Sequence, residues 1–263
     1  MAQLIIDLRA MAVFDTWIHD LETRHLSDLR FAEVSRALRA LSSTYIERRR
    51  AMHHGDALAG AGKRAAFALF YGPLHYLIVR AVVHRIDAAA AQKSVLVDLG
   101  CGTGASGAAW AEQDSTIRQA VAIDRTPWSI AEASRTYRHF GVPVRARQDD
   151  MASAAWPPGA ALLAAFSVNE LPGDTRDRLL HRFLDRAARG DAVLVVEPIA
   201  RSIAPWWNAW QSAFSAAGGQ SDEWRFRTEL PDIVAKLDRA AGLDHRELTA
   251  RSLWISGRTA SKP

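Results

Sequence analysis

Cysteine is almost absent from this sequence of 263 residues, which contains only Cys101. A single cysteine excludes an internal disulfide bond and a metal site made of cysteines alone. We therefore expect no bound metal.

Long apolar runs are also absent. No stretch of about 18 uncharged apolar residues occurs, which is the length that a helix needs to span a membrane. The first residues do not form a basic region followed by an apolar stretch, because Asp7, Arg9 and Asp15 interrupt the pattern. This is unlike a signal peptide. We expect a cytoplasmic protein with no membrane partner.

Charge of one sign is in small excess, with a net charge of +4. An excess of this size neither establishes nor excludes binding to nucleic acid. Apolar residues make up 49% of the chain, which is enough for a sizeable core. The length fits one large α/β domain or a domain with an appendage.

Glycines are concentrated in one stretch. Residues 95–99 predict a short buried strand, residues 100–104 a tight turn, and residues 105–112 the start of a helix. These elements form the first half of a βαβ nucleotide site. Glycine lets the backbone approach a ligand closely, and the helix N-terminus offers free N–H groups.

The glycines fit two ligand-binding patterns. Gly102-x-Gly104-x-x-Gly107 matches the dinucleotide pattern. Gly100-x-Gly102-x-Gly104, preceded by Asp98, resembles instead the first motif of class I S-adenosylmethionine (SAM) methyltransferases. Asp98 favours the second pattern, because an acid there suits the amino group and sulfonium of SAM and would repel a pyrophosphate.

Acidic or amide side chains follow each of five predicted strands. In open α/β sheets ligands bind beyond the carboxyl ends of the strands, and acids would be costly there as core residues. The residues are Asp98, Asp124, Asp149-Asp150, Asn169-Glu170 and Glu197. Strands that alternate with helices from residue 94 onward predict a parallel, doubly wound sheet.

The two ends of the chain depart from this alternation. Residues 1–92 predict an all-helical N-terminal cap, in which Gly72-Pro73 breaks or kinks a helix. Residues 93–263 predict the SAM-binding domain, closed by two strands at 244–250 and 252–256. The predicted fold class is α/β, with a Rossmann-like, mostly parallel methyltransferase sheet that ends in an antiparallel hairpin.

The strand ends supply the predicted SAM site. Asp124 is placed to accept the two ribose hydroxyls, and Asp150, with the Met151 N–H, to pair with adenine, Asp149 being the alternative. The other predicted cofactor-binding residues hold the methionine part of SAM or adjoin these strand ends: Asp98, Gly100, Cys101, Gly102, Gly104, Arg125 and Ser167.

Methyl transfer is an in-line displacement at an activated carbon, so the protein mainly has to align the nucleophile with the methyl group. A base is needed only if the nucleophile must lose a proton. Glu170 and Asn169 are the predicted catalytic residues, because they end the fourth strand, and His75 is a further candidate.

Five short motifs occur in a suggestive order: Ala40-Leu41-Ser42-Ser43-Thr44-Tyr45, Val97-Asp98-Leu99-Gly100-Cys101-Gly102-Thr103-Gly104, Asn169-Glu170-Leu171-Pro172, Val195-Val196-Glu197-Pro198 and Phe226-Arg227-Thr228-Glu229-Leu230-Pro231. In this order they resemble the ribosomal small-subunit-associated methyltransferase-like family, within the class I SAM methyltransferases. The resemblance implies SAM as cofactor and ribosomal RNA as methyl acceptor.

The chain also departs from that family. Many of its members carry a cysteine cluster that binds iron–sulfur in the C-terminal half, and this chain has no cysteine after Cys101. Trp206, Trp207 and Trp210 could instead line an aromatic acceptor pocket. Three hypotheses stay open: a methyltransferase for RNA, one for a small aromatic metabolite, and a non-catalytic assembly factor that binds SAM.

Overall fold

The structure is a computed structural model that describes residues 2–47, 58–200 and 204–257. Its helices are α1 (Ala2–His25), α2 (Phe31–Glu47), α3 (Ala61–Ala66), α4 (Gly72–Arg85), α5 (Ala105–Gln113), α6 (Pro127–His139), α7 (Gly173–Ala188), α8 (Trp207–Ala216) and α9 (Asp232–Ala241). Its strands are β1 (Val95–Leu99), β2 (Gln119–Asp124), β3 (Val144–Gln148), β4 (Ala161–Ala165), β5 (Ala192–Glu197), β6 (Gln220–Phe226) and β7 (Leu248–Ile255).

The chain divides into two compact units. The helical unit comprises Met1–His75 and Arg227–Leu248, and the sheet unit comprises Tyr76–Phe226 and Thr249–Pro263. The domain boundary between residues 92 and 93 stays a prediction.

In the helical unit, α2 and α9 bury apolar stripes. Val34, Leu38 and Leu41 recur at helical spacing on α2 and are fully buried. Val234 and Leu237 on α9 are fully buried as well. Side chains three or four residues apart share one face of a helix, so each helix offers a continuous apolar face to its neighbours. The two helices are in contact.

A π-helical turn, Phe67–Tyr71, connects α3 to α4. In this turn the Gly72 N–H donates to the carbonyl of Phe67, five residues earlier. Pro73 has no N–H to continue the usual α-helical ladder. The sequence predicts a break or kink here, but the helical backbone continues to Arg85, and the irregularity is taken up by the wider turn.

The run Ala61–Arg85 is, among the described residues, the one helical segment long and apolar enough to cross a membrane. Most of it is buried inside the protein. A buried core helix of a water-soluble protein has the same length and composition, so the segment is weak support for a membrane span.

The sheet unit contains a seven-stranded sheet with the order β3-β2-β1-β4-β5-β7-β6. Strands β1 to β5 pair in parallel, and β7 is antiparallel to β5. The predicted fold class, a mostly parallel Rossmann-like sheet with an antiparallel C-terminal pair, is therefore confirmed. This arrangement brings the carboxyl ends of β1 to β5 to one edge of the sheet.

The predicted strands at 244–250 and 252–256 are wrong. One continuous strand, β7, covers Leu248–Ile255, and the edge strand β6 lies before α9. The polar pair Arg251-Ser252 resembles a turn in the sequence, yet both residues are buried in the middle of β7. The sequence does not predict β6 for a similar reason, because its pattern is interrupted by the charged residues Asp222, Glu223 and Arg225.

Trp206, Trp207 and Trp210 pack in the core of the sheet unit. The Trp210 ring lies between those of Phe183 and Phe214, with centroid distances of 6.1 and 6.3 Å. The rings of Trp206 and Trp210 are 4.7 Å apart. These contacts do not support the hypothesis that the three indoles together line an open aromatic pocket.

A buried ion pair joins the beginnings of β4 and β5. The Asp191 carboxylate is 1% exposed, accepts a hydrogen bond from the Ala160 N–H at 2.9 Å, and pairs with Arg186. Arg186 also donates to the carbonyls of Trp156 and Pro157. The pair therefore ties α7 to the turn that precedes β4.

We expect Asp191→Ala to lower the free energy of unfolding by roughly 3–5 kcal/mol, because it leaves a mostly buried guanidinium without its charge partner. Urea unfolding followed by circular dichroism measures the change. Asp185→Ala removes an exposed carboxylate from α7, the helix that contains Arg186. It should change the free energy of unfolding by less than about 0.5 kcal/mol. Equal losses in the two variants would contradict the structural role of Asp191.

Candidate functional site

The turn after β1 is held in a left-handed conformation at three glycines. Gly100, Gly102 and Gly104 have φ angles of +68°, +51° and +75°. The Ile123 carbonyl at the end of β2 accepts hydrogen bonds from the N–H groups of Gly100, at 2.8 Å, and Cys101, at 3.0 Å. A side chain at Gly104 would come within 2.9 Å of the Ala133 backbone. The turn is thus fixed against β2 and α6.

Asp124 connects this turn to the start of α6. Its Oδ2 accepts a hydrogen bond from the Gly102 N–H at 3.0 Å, and its Oδ1 accepts one from the Thr126 N–H at 2.9 Å. The Thr126 hydroxyl also donates to Oδ1 and caps α6 by accepting from the Ser129 N–H. A carboxylate has about four acceptor positions, so Asp124 retains capacity for further donors such as ribose hydroxyls.

The glycine turn and the start of α5 carry buried N–H groups with no partner among the described residues. These belong to Thr103, Ala105 and Ser106, all less than 9% exposed. A helix N-terminus presents such groups together with a partial positive charge, and an anionic group is their usual ligand. The donors fit the carboxylate of the methionine part of SAM.

Asp98 faces α5 and α6. Its Oδ2 accepts a hydrogen bond from the Tyr137 hydroxyl at 2.9 Å. Burial raises the pKa of Asp98 to about 7, and the Asp124 charge adds to the shift, while hydrogen bonds from Tyr137 and Gly107 oppose it. A Cβ atom at Gly107 would lie 1.7 Å from the Tyr137 oxygen, so only glycine leaves room for this pair.

Cys101, the predicted cofactor-loop residue that is also the only thiol, lies inside the protein. Its side chain is buried, and burial followed by the charges of Asp124 and Asp98 holds the pKa of the thiol well above its ordinary value. The thiol is therefore neutral and unreactive as it stands. Its backbone N–H, already described, holds the turn.

The carboxyl end of β3 presents the predicted adenine contacts. Asp150 accepts a hydrogen bond from the Ala152 N–H at 2.8 Å and forms an ion pair with Arg125. Asp149 pairs with Arg147 at 3.7 Å. The Met151 N–H has no partner within the described ranges, and this open donor suits an adenine ring nitrogen.

Strand β4 ends in an unusual backbone conformation. Phe166 has a φ angle of +58°, and its N–H donates to the Val196 carbonyl of β5 at 2.8 Å. Ser167 then turns its hydroxyl toward the Leu99 carbonyl of β1, at 2.9 Å. A Cβ atom at Gly100 would lie 2.6 Å from the Ser167 Cβ, so the turn and the end of β4 are in close contact.

Asn169, one of the predicted catalytic residues, belongs to a buried network. Its side-chain amide donates to Glu197, and its Oδ1 accepts a hydrogen bond from the Trp206 indole N–H at 2.9 Å. Glu197 Oε1 also accepts from the N–H groups of Val168, at 2.9 Å, and Asn169, at 3.2 Å. Both ends of the Asn169 amide are occupied, so this side chain positions the turn after β4.

The acidic members of this region differ in exposure. Glu197 is fully buried, and burial raises its pKa to about 8, although hydrogen bonds from the Asn169 and Val168 backbones oppose the shift. Glu170 is exposed next to the same turn. Its role as the catalytic carboxylate stays a prediction.

His75 lies in the helical unit. Burial lowers its pKa to about 3, so the imidazole is neutral and a weak proton acceptor at neutral pH. Its ring contacts those of Phe67 and Tyr71 at centroid distances of 6.2 and 6.0 Å. These properties fit a packed aromatic cluster and do not support a role as catalytic base.

The structure brings most of the predicted cofactor residues to one edge of the sheet. It adds two residues that the sequence did not single out, Thr126 and Tyr137, and it places the Trp206 indole in a hydrogen bond with Asn169. Thr126 had a signal, because it precedes Pro127 as a helix cap would. Within the described ranges, no group of three or more His, Cys, Asp or Glu side chains could hold a metal ion.

Residues 96–190 match the model of a protein family described as a methyltransferase domain. The match runs from β1 to the residue before Asp191 and covers less than half of the chain. No curated protein sequence matches the chain.

Solved structures with a similar fold include several of low sequence identity. Precorrin 8W decarboxylase from Methanobacterium thermoautotrophicum is 18% identical, with 68% of this chain and 89% of that chain covered and a TM-score of 0.46. Precorrin-6y C5,15-methyltransferase from Geobacter metallireducens is 9% identical, with 65% and 86% covered and a TM-score of 0.44. N-methyltransferase NodS from Bradyrhizobium japonicum, in complex with S-adenosyl-L-homocysteine, is 12% identical, with 67% and 85% covered and a TM-score of 0.45.

We expect Glu197→Gln to lower the free energy of unfolding by roughly 1–3 kcal/mol, although it removes a buried acid. The indole N–H of Trp206 is only a donor, so it fixes the Asn169 amide with its NH2 group toward residue 197. A glutamine whose oxygen keeps the two backbone donors would place its own NH2 group against that of Asn169.

The double variant Glu197→Gln/Asn169→Asp exchanges the amide and the carboxylate and restores one donor opposite one acceptor. It should be more stable than Glu197→Gln alone when unfolding by urea is compared. A double variant less stable than the single one would show that the network does not work as described.

Proposed function

We propose that the protein is a SAM-dependent methyltransferase whose cofactor site is the edge of the sheet formed by β1, β2 and β3. The observation that carries the proposal is the set of open, buried N–H groups at the start of α5, next to the Asp124 carboxylate. Donors for a carboxylate and an acceptor for ribose hydroxyls are what the two ends of SAM need.

In this proposal different residues of the chain bind different parts of SAM. The N–H groups of Thr103, Ala105 and Ser106 bind the carboxylate of the methionine part. Asp124 accepts the ribose hydroxyls, and the Met151 N–H pairs with the adenine edge. When bound, SAM supplies a methyl group on a sulfonium sulfur, which is activated for in-line displacement.

The turn after β4 borders the acceptor side of the site. Glu197, Asn169 and Trp206 fix this turn by hydrogen bonds, so the backbone next to the acceptor is preorganised. Positioning of this kind can supply roughly 7–11 kcal/mol of the barrier to transfer. Glu170 is exposed at this turn and would take up the proton of an acceptor that has to lose one.

We expect wild-type protein to bind SAM and its demethylated product in isothermal titration calorimetry, and Asp124→Asn to bind both at least about tenfold more weakly. The amide offers fewer acceptor positions to the ribose hydroxyls, and hydrogen bonds to a charged group contribute about 1.5–3 kcal/mol each. Asp174→Asn, which changes an exposed carboxylate on α7, is the matched control.

Thermal unfolding of each variant shows whether it is folded, so that a loss of SAM binding can be told apart from a loss of the folded state. Binding of NAD in place of SAM by wild-type protein would overturn the assignment of the cofactor. Binding of SAM without transfer to any acceptor would favour the hypothesis of a non-catalytic factor.

RNA is the first acceptor that we propose, and a basic groove on the helical unit supports it. The groove has a volume of about 430 Å³ and is lined by Phe31, Lys236, Arg239 and Ala240. Phe31 is an exposed aromatic side chain, and neither Lys236 nor Arg239 forms an ion pair with any residue in the described ranges. Cations that bind phosphates next to a ring that stacks on a base are typical of single-stranded RNA sites.

Lys236→Glu/Arg239→Glu should weaken binding of purified small-subunit ribosomal RNA and reduce the salt dependence of that binding, because two phosphate contacts are lost. Filter binding at several salt concentrations measures both effects. Arg118→Glu/Arg189→Glu, which changes two exposed arginines of the sheet unit by the same total charge, is the control. Equal effects of the two double variants would contradict a specific groove.

A small-molecule acceptor is the second candidate. The observation that favours it is a polar cavity in the sheet unit, next to Trp207.

A further inference from the structure

Helix α7 carries four arginines, and three of them have oxygen acceptors. Arg178 forms an ion pair with Asp174 at 3.1 Å. The guanidiniums of Arg182 and Arg186 donate to backbone carbonyls. The fourth, Arg176, makes no side-chain hydrogen bond or ion pair with any residue in the described ranges. Its five guanidinium N–H groups therefore lack an oxygen acceptor within these ranges.

The Arg176 guanidinium is nevertheless partly withdrawn from water. The side chain is half-buried, and burial lowers the pKa of the group, although the charges of Asp177 and Glu197 oppose the shift. Asp177 is the next residue of the helix, so its side chain points in another direction. The Glu197 carboxyl already accepts hydrogen bonds from two backbone N–H groups of the turn after β4. Charged groups withdrawn from water are usually paired, so an open guanidinium in this position suits an anionic ligand.

Arg176 lies beside the turn after β4. Its guanidinium carbon is 5.5 Å from the centroid of the Trp206 ring. The indole N–H of that ring donates to Asn169 at 2.9 Å, in the turn that also contains Glu170. The guanidinium is also near the beginning of α7, since its Nη2 would lie 4.0 Å from a Cβ atom at Gly173. Trp206 thus contacts the turn through its N–H group and the guanidinium through its face.

A guanidinium held against an aromatic ring is suited to bind an oxyanion. Its planar fork of N–H groups matches two oxygens of a phosphate or a carboxylate, and this fork is preorganised for both hydrogen bonds. In the proposed function, the turn after β4 borders the acceptor side of the site, and Glu170 is exposed there. An anion at Arg176 therefore belongs to the molecule that approaches this turn.

We propose that Arg176 binds an oxyanion of the methyl acceptor, which is a backbone phosphate if the acceptor is RNA and a carboxylate if it is a small molecule. The assignment to the acceptor rests on the proposed function, whereas the binding of an oxyanion does not. Arg176 takes no part in proton transfer. It anchors the acceptor beside the turn after β4 and selects acceptors that carry a negative charge near the methylated atom.

Modification of arginines by phenylglyoxal, mapped by mass spectrometry of peptides from the full chain, tests the binding. Rates are compared in inorganic phosphate, in acetate and in chloride at equal ionic strength. Arg176 should react at least about threefold more slowly in phosphate or acetate than in chloride, because a bound oxyanion occupies the groups that the reagent attacks. Arg178, which is paired with Asp174, should react at one rate in all three salts. Equal rates for Arg176 in the three salts, or equal protection of Arg176 and Arg178, would overturn the proposal.

Variants distinguish the two sources of the oxyanion. If the source is RNA, phosphate protects Arg176 better than acetate does, and Arg176→Ala binds purified small-subunit ribosomal RNA about tenfold more weakly in filter binding. The salt dependence of that binding should fall by about one phosphate contact, which the loss of a merely structural side chain would not cause. Arg176→Lys should keep the salt dependence and lose affinity, since an ammonium group cannot bind two oxygens in a fork.

Arg178→Ala is the matched control, because it removes an exposed guanidinium from the same helix. It should bind the RNA as wild type does, and a loss equal to that of Arg176→Ala would overturn a specific phosphate contact. Better protection by acetate, with unchanged RNA binding by Arg176→Ala, would support a carboxylate on a small-molecule acceptor.

Titration of the wild-type protein with SAM separates this proposal from the proposed function. Protein that binds SAM, but in which neither anion protects Arg176, would overturn the oxyanion site and leave the proposed function intact. Protein in which an anion protects Arg176, but which does not bind SAM, would support the oxyanion site and overturn its assignment to a methyl acceptor.

Discussion

The cofactor edge of this protein depends on the carboxylate of Asp124. Its two oxygens hold the glycine turn after β1, through the Gly102 N–H, and the beginning of α6, through Thr126. Two neighbouring elements are thereby fixed to the end of β2 by one carboxylate in a low-dielectric setting, where hydrogen bonds to a charged group are strong. The same side chain retains acceptor capacity for a ligand, so the group that builds the site is also available to bind in it.

Burial of acids at this edge has an energetic cost. The pKa of Asp98 is raised from 3.8 to about 7 and that of Glu197 from 4.5 to about 8, in both cases mainly by burial. Each carboxyl favours the folded state when protonated. Its contribution is full below the ordinary pKa and is lost as the pH rises through the raised value. At neutral pH the two buried carboxyls therefore contribute less to the free energy of unfolding than they do in acid. Such a loss of stability is typical of sites selected for binding and not for stability.

Local patterns in the sequence predicted the parts of the fold that depend on local chemistry. The glycine turn, the helix that follows it and the acid at the end of each strand are each defined by residues that are close together in the sequence. The partners of Asn169 could not be predicted, because Glu197 and Trp206 are 28 and 37 residues away along the chain. The strand β7 was predicted as two strands for a related reason: Arg251 is polar in sequence but buried against Trp207, a contact that only the assembled sheet creates. The contact of α9 with α2 could not be predicted either, because the two helices are far apart in the sequence.

The lone thiol of Cys101 lies in the turn that the proposed cofactor would touch, and it is buried and held neutral. A thiol-specific reagent can reach it only when the turn opens. The protein therefore carries a natural chemical probe at a single, known place, with no second cysteine to remove or to confuse the signal. The rate at which the folded protein is labelled reports how often the glycine turn leaves β2, and any molecule that keeps the turn closed would slow the labelling.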